Sequence, residues 1–194
     1  MFENALVLNN VPTKLKVTYK TVISAALVAL AVVLPQIIHA ALGQPGGVKW
    51  LPMYLPVLIG GCLLGFRWGL AVGILSPLLS FAITSLAGSP MPASSRLPFM
   101  VFELAIFALV SGLFSKLISK NGLWAFPAVI SAQIAGRGAF LLAVVICQSF
   151  SPFTPAQIWG QIVTGLIGLG VQAVLAPVIM IGLRALLKKD SKNE

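Results

Sequence analysis

Between Leu51 and Ser80 the chain runs LPMYLPVLIGGCLLGFRWGLAVGILSPLLS, a stretch whose single charge is Arg67. An arginine at the centre of a bilayer costs about 2.5 kcal/mol or more, so Arg67 has to reach water. Around it lies a turn sequence, Gly65-Phe66-Arg67-Trp68-Gly69, between two apolar runs. The stretch therefore predicts a membrane hairpin, and the rest of the chain is placed by asking which side of the bilayer that turn faces.

Composition supports the membrane reading. The chain is 194 residues long, 58% hydrophobic and only 9% charged, with a mean hydropathy of +1.00. A soluble domain carries about 25% charged residues. The apolar runs are continuous rather than alternating, which excludes a transmembrane barrel. A net charge of +9 raises the possibility of nucleic acid, but the cations flank apolar runs and form no patch interleaved with aromatics. The expected class is an all-α membrane protein, a bundle of six transmembrane helices in one domain over residues 17–187. Residues 1–16 form a cytoplasmic tail with no cleavable signal, and residues 188–194 form a basic cytoplasmic tail.

The expected spans run about Val17–Ala41, Leu51–Gly65, Trp68–Leu86, Pro98–Ile118, Leu123–Gln148 and Ala156–Leu186. Pro35 interrupts the first span late, Pro52 and Pro56 break the second, and Ser76-Pro77 falls in the third. Broken helices at membrane depth are tolerated where they are buried in protein or line a cavity. Three Gly/Pro-rich loops are expected at His39–Trp50, Gly88–Leu97 and Ser149–Pro155. An even number of spans puts both termini on one side, with Lys14, Lys16, Lys20, Arg67, Lys116, Lys120, Arg184, Lys188, Lys189 and Lys192. The opposite side holds Lys49 and Arg96. The positive-inside rule then makes the first side cytoplasmic and turns the three loops outward.

Of four acids, Glu3, Asp190 and Glu194 lie in the tails and Glu103 lies inside a span. Arg137 lies near the middle of the fifth span, between Gly136 and Gly138. Ionisable residues inside a membrane segment are functional candidates, either as a mutual ion pair or in contact with a ligand. His39 is the only histidine and, with no acid nearby, makes neither a metal site nor a triad. Cys62 and Cys147 lie in apolar runs at no metal-ligand spacing. No phosphate-binding loop, HExxH or serine elbow is present, and one buried acid leaves general acid–base catalysis few players. A binding pocket remains, with Glu103, Arg137, Gln133, Gln148, Trp159 and Gln161 from spans four to six. The outer loops add Arg96, His39, Trp50 and Tyr54 as candidate ligand contacts. In the first span Ala25 and Ala29 lie four apart, on one helix face, where small residues allow another helix to approach closely.

The block Met53–Phe81 (MYLPVLIGGCLLGFRWGLAVGILSPLLSF), the following Gly88–Pro92 (GSPMP), Leu97–Phe114 (LPFMVFELAIFALVSGLF) and Gly168–Ile179 (GLGVQAVLAPVI) together resemble the substrate-binding S components of energy-coupling factor (ECF) vitamin transporters. The resemblance spans about Thr21–Leu187. It implies a six-helix bundle with cytoplasmic termini, an outward ligand site built by spans four to six and the outer loops, and no enzymatic activity or cofactor. It implies as partners a transmembrane coupling subunit and two ATP-binding-cassette ATPases, with the Ala25/Ala29 face docked on the coupling subunit and the ligand delivered inward by toppling of the S component. Relatives often carry His where this chain has Tyr54, so a different specificity is expected if that position contacts ligand. A deazaguanine-like queuosine precursor and pantothenate both suit the polar residues, and Glu103, as the only buried acid, tips the expectation toward a cationic or amphoteric ring. A small membrane enzyme using Glu103 as acid/base and an assembly subunit without ligand are the alternatives.

Overall fold

The computed structural model describes residues 13–148 and 153–190, and the described residues contain helices and no strand. In chain order the helices are α1 (Thr13–Trp50), α2 (Tyr54–Leu64), α3 (Phe66–Leu86), α4 (Leu97–Leu113), the short α5 (Ser115–Lys120), α6 (Ala125–Ile146) and α7 (Pro155–Asp190). A 3-10 turn, Gly122–Trp124, leads into α6. Among the described residues five segments are long and apolar enough to cross a membrane: Lys14–Gly43, Gly46–Leu64, Phe66–Leu86, Gly122–Ile146 and Pro155–Leu186. The shorter α4 is apolar as well. The molecule is an all-α membrane protein.

Several boundaries differ from the sequence expectation. Residues 39–50 do not form an open loop. They are helical on both sides of Gly43, whose φ of 68° breaks the helix. Pro35 does not interrupt α1, and Pro77 and Pro177 sit inside α3 and α7. The break falls on glycine because left-handed backbone suits a residue without Cβ, whereas a buried helix tolerates the one hydrogen bond that proline removes. The expected turn over residues 65–69 contracts to Gly65 alone (φ 84°, ψ 174°), and Phe66 already opens α3. The expected fourth span breaks at Phe114, after which Ser115–Lys120 form the separate short helix α5. Residues 1–12, 149–152 and 191–194, which hold most of the tails and half of the third loop, lie outside the described residues.

The centre of the bundle is α2. Nine of its residues are buried, among them Val57, Leu58 and Cys62. Against it α3 and α4 pack at backbone distance. A Cβ on Gly69 would lie 2.6 Å from Gly61 Cα, and one on Gly61 would lie 2.8 Å from the Ala108 carbonyl of α4. Close approach of this kind is how helices associate where lipid supplies no hydrophobic drive. The periphery is apolar too: Leu30, Val33, Leu79, Ile83, Leu142, Val174 and Val178 are all exposed. Helices apolar on both faces carry no amphipathic stripe, the signature of elements between a protein core and lipid. One end of the bundle gathers the α1–α2 junction, the 87–96 loop and the start of α7. At the other end are the Gly65 turn, α5 and Arg184, which donates to the Lys120 carbonyl.

Candidate ligand-binding site

Tyr54 opens α2, and the segment before it is fixed tightly. Leu51 adopts a positive φ of 49°, and its carbonyl accepts from Tyr54 N at 3.1 Å. From α7, Gln172 Nε2 donates to the carbonyls of Trp50 and Leu51 at 3.0 and 2.9 Å. Beside it Gly168 lies so close that a Cβ would be 2.5 Å from the Lys49 carbonyl. The α1–α2 junction is thereby pinned to α7, and Tyr54 points inward with 4% exposure.

Glu103 from α4 and Arg137 from α6 meet that tyrosine. The Tyr54 hydroxyl donates to Glu103 Oε2 at 2.6 Å, short as expected for a carboxylate acceptor. Arg137 Nη1 lies 3.0 Å from Glu103 Oε1. The guanidinium also stands 4.9 Å from the centre of the Tyr54 ring, in range for a cation–π contact. The ring itself packs on Phe107, with centroids 4.9 Å apart. Gly136, next to Arg137, receives the Phe107 ring at a distance no side chain would permit. Glu103 and Arg137 are 1% and 7% exposed. Arg137 Nε and Nη2 and Glu103 Oε1 have no hydrogen-bond partner among the described residues.

Above this triad is a cavity of about 400 Å³, within the range typical of small-molecule sites. Of the candidate contacts, Tyr54, Glu103, Arg137, Arg96, His39 and Gln161 line it. The structure places the other four elsewhere. Gln133 donates to the Leu169 carbonyl at 3.0 Å and ties α6 to α7. Trp159 is 60% exposed on the outside of α7. Gln148 is exposed beyond the end of α6, and Trp50 is half-buried, with its carbonyl held by Gln172. A side chain's polarity says that it needs a partner, and for Gln133 that partner is a backbone carbonyl.

Other lining residues were not anticipated. Met53, Met100, Phe140 and Phe153 supply apolar wall. Arg96 lies 5.3 Å over the Phe153 ring, and Phe99 contacts both Phe140 and Phe153. The 87–96 loop roofs the cavity through Pro90–Ala93 and Ser95. Two hydroxyls of α3 hold that roof. Ser80 Oγ donates to the Met91 carbonyl at 2.8 Å, and Met91 N donates to Thr84 Oγ1 at 2.7 Å. The signal for this was available in the sequence: Ser80 and Thr84 lie four apart, on one face of a helix that ends just before the loop. No cluster of metal-ligating side chains occurs among the described residues.

A helical membrane protein whose buried ionic residues converge beside one roofed cavity is built to bind a small molecule. The family model described as "ECF transporter, substrate-specific component" matches residues 19–180, and the chain belongs to that family. Comparisons with curated proteins and with solved structures return no match. Members of the family are substrate-binding subunits of transporters, not enzymes. The chain is accordingly a multi-pass membrane subunit that binds a small-molecule substrate and associates with the ECF energising module. The reading of Glu103 as the acid/base of a membrane enzyme falls away with that membership.

Proposed function

We propose that this chain captures a water-soluble vitamin or related micronutrient in the cavity under the 87–96 loop, at the outer face of a prokaryotic plasma membrane, and passes it inward. The observation that carries the reading is the buried Tyr54–Glu103–Arg137 triad at the cavity. Charged groups are expensive inside a membrane bundle, and polar groups grouped beside a 400 Å³ cavity mark a ligand site. The charge distribution supports the orientation. Lys116, Lys120 and Arg184 lie at the end of the bundle away from the cavity, with the Gly65 turn and Arg67 in the first turn of α3, and that end faces the cytoplasm. With α4 counted among the crossing helices the bundle has six spans, and both ends of the chain are cytoplasmic. The energising partners are a transmembrane coupling subunit and two ATP-binding-cassette ATPases. Ala25 and Ala29 are exposed on α1, alongside Val22, Ala26 and Leu30, which suits docking on the coupling subunit. Pantothenate and a deazaguanine-like base are the substrate candidates.

Native mass spectrometry of the purified chain tests this. A small molecule retained through detergent removal, and lost on Arg137→Ala, is the expected result. A chain that arrives bare and shows no thermal shift with any micronutrient would instead be an assembly subunit.

A further inference from the structure

We infer that the ligand of this pocket is a carboxylic acid with a single negative charge, held by Arg137 and met at the mouth of the cavity by Arg96. This narrows the uptake reading above and rests on it. Among the described residues three formally charged side chains line the cavity: Arg96, Glu103 and Arg137. Two guanidiniums against one carboxylate, with His39 counted as neutral, leave one positive charge. In a cavity walled by Met53, Met100, Phe140 and Phe153, that charge is weakly screened and calls for an anion.

Hydrogen bonding points the same way. Arg137 spends Nη1 on Glu103, while its Nε and Nη2 donate to nothing among the described residues despite their burial. Adjacent free donors on one guanidinium match the two oxygens of a carboxylate in fork geometry. Glu103, in contrast, has little to offer a cation. Its Oε2 takes the Tyr54 hydroxyl and its Oε1 faces Arg137, so a cationic ring would have to displace the arginine and leave a second buried cation beside itself. This reverses the preference for a cationic or amphoteric ring that Glu103 alone suggested. A phosphate ester fits less well, because its charge of about −1.5 to −2 overshoots the single positive charge available. The aromatic and methionine wall takes the neutral remainder of the molecule.

The test has two arms on the full chain in detergent. First, the co-purifying small molecule is extracted and identified. A monocarboxylic acid is expected; a neutral compound, a cation, a phosphate ester or a phospholipid overturns the inference while leaving uptake intact. Second, matched pairs are titrated: pantothenate with pantothenol, nicotinate with nicotinamide, biotin with its amide. At least one acid should bind about tenfold or more tighter than its neutral partner, as expected for a charge-assisted contact. Equal binding within every pair overturns the inference. Arg96→Gln, at the half-buried mouth, should remove much of that preference without unfolding the bundle. Arg137→Lys, which keeps the charge but loses the fork, should weaken the acid and spare the neutral partner. A chain with no extractable small molecule and no response to either member of any pair overturns uptake and the acid together.

Discussion

Glu103→Gln is the most informative single change, because burial sets the size of its effect. Exposed ion pairs contribute about 0–1 kcal/mol, whereas removing one partner of a buried pair costs about 3–5 kcal/mol, since the other charge is left uncompensated. Glu103 and Arg137 are 1% and 7% exposed, which places them in the second regime. The Tyr54 hydroxyl keeps an acceptor on the new amide but loses the ionic character of its bond, a loss of about 1 kcal/mol that falls within the same range. At roughly 2–4 °C per kcal/mol for a chain of this size, the melting temperature should fall by about 6–20 °C. The assay is circular-dichroism melting of the ligand-free chain in detergent, run as a cycle with Arg137→Gln and the double variant. Each single substitution leaves a buried charge without a partner and the double leaves none. The double should therefore melt well above the sum of the two losses, with a coupling of about 2 kcal/mol or more. A shift under about 2 °C for Glu103→Gln, or strict additivity, would refute the buried-pair account.

Gly136→Ala should destabilise the bundle by about 1–3 kcal/mol, because its Cβ would enter the Phe107 ring and push it against Tyr54; a melting temperature equal to the parent's would contradict that packing. Thr84→Val removes the hydroxyl that accepts from Met91 N and should speed ligand release several-fold with little change in melting, which stopped-flow dissociation measures. Ala25→Leu and Ala29→Leu, on the exposed face of α1, should weaken pull-down of the coupling subunit and leave ligand affinity as it was; complexes that survive both changes would remove the docking assignment.

The sequence displayed the membrane class and the two ionic residues inside the spans plainly, because both follow from the cost of charge in hydrocarbon, while whether the two pair with each other stayed open until the fold brought them together. Arg67 located a turn, and Glu103 and Arg137 were the only acid and the only arginine deep in the spans. Helix ends were less legible. Proline signals a break in water, but in α1, α3 and α7 the helix runs through it, and the actual breaks fell on Gly43 and Gly65, where positive φ is needed. The site was half legible for a related reason. Polar side chains in a span must find partners, but composition does not say whether a ligand or a carbonyl serves. Gln133 and Gln172 bind backbone, while Gln161 lines the cavity. Apolar lining such as Phe140 and Phe153 carries no mark that separates it from core or lipid contact.

The pairing of Glu103 with Arg137 also bears on how such a site works empty. A lone guanidinium at this depth would hold an acid tightly but would carry a heavy desolvation cost whenever the pocket was vacant. Glu103 compensates that charge through Nη1 and Tyr54 holds the carboxylate in place, so the empty site is stable without being filled. Nε and Nη2 are left unspent, and the attraction they offer an acid is tempered by the carboxylate alongside. For a subunit that must both capture its cargo and give it up, a half-neutralised arginine is the better device. Replacing Glu103 therefore acts on two quantities with opposite sign: it lowers the stability of the empty bundle, and it raises the stabilisation that a bound acid brings.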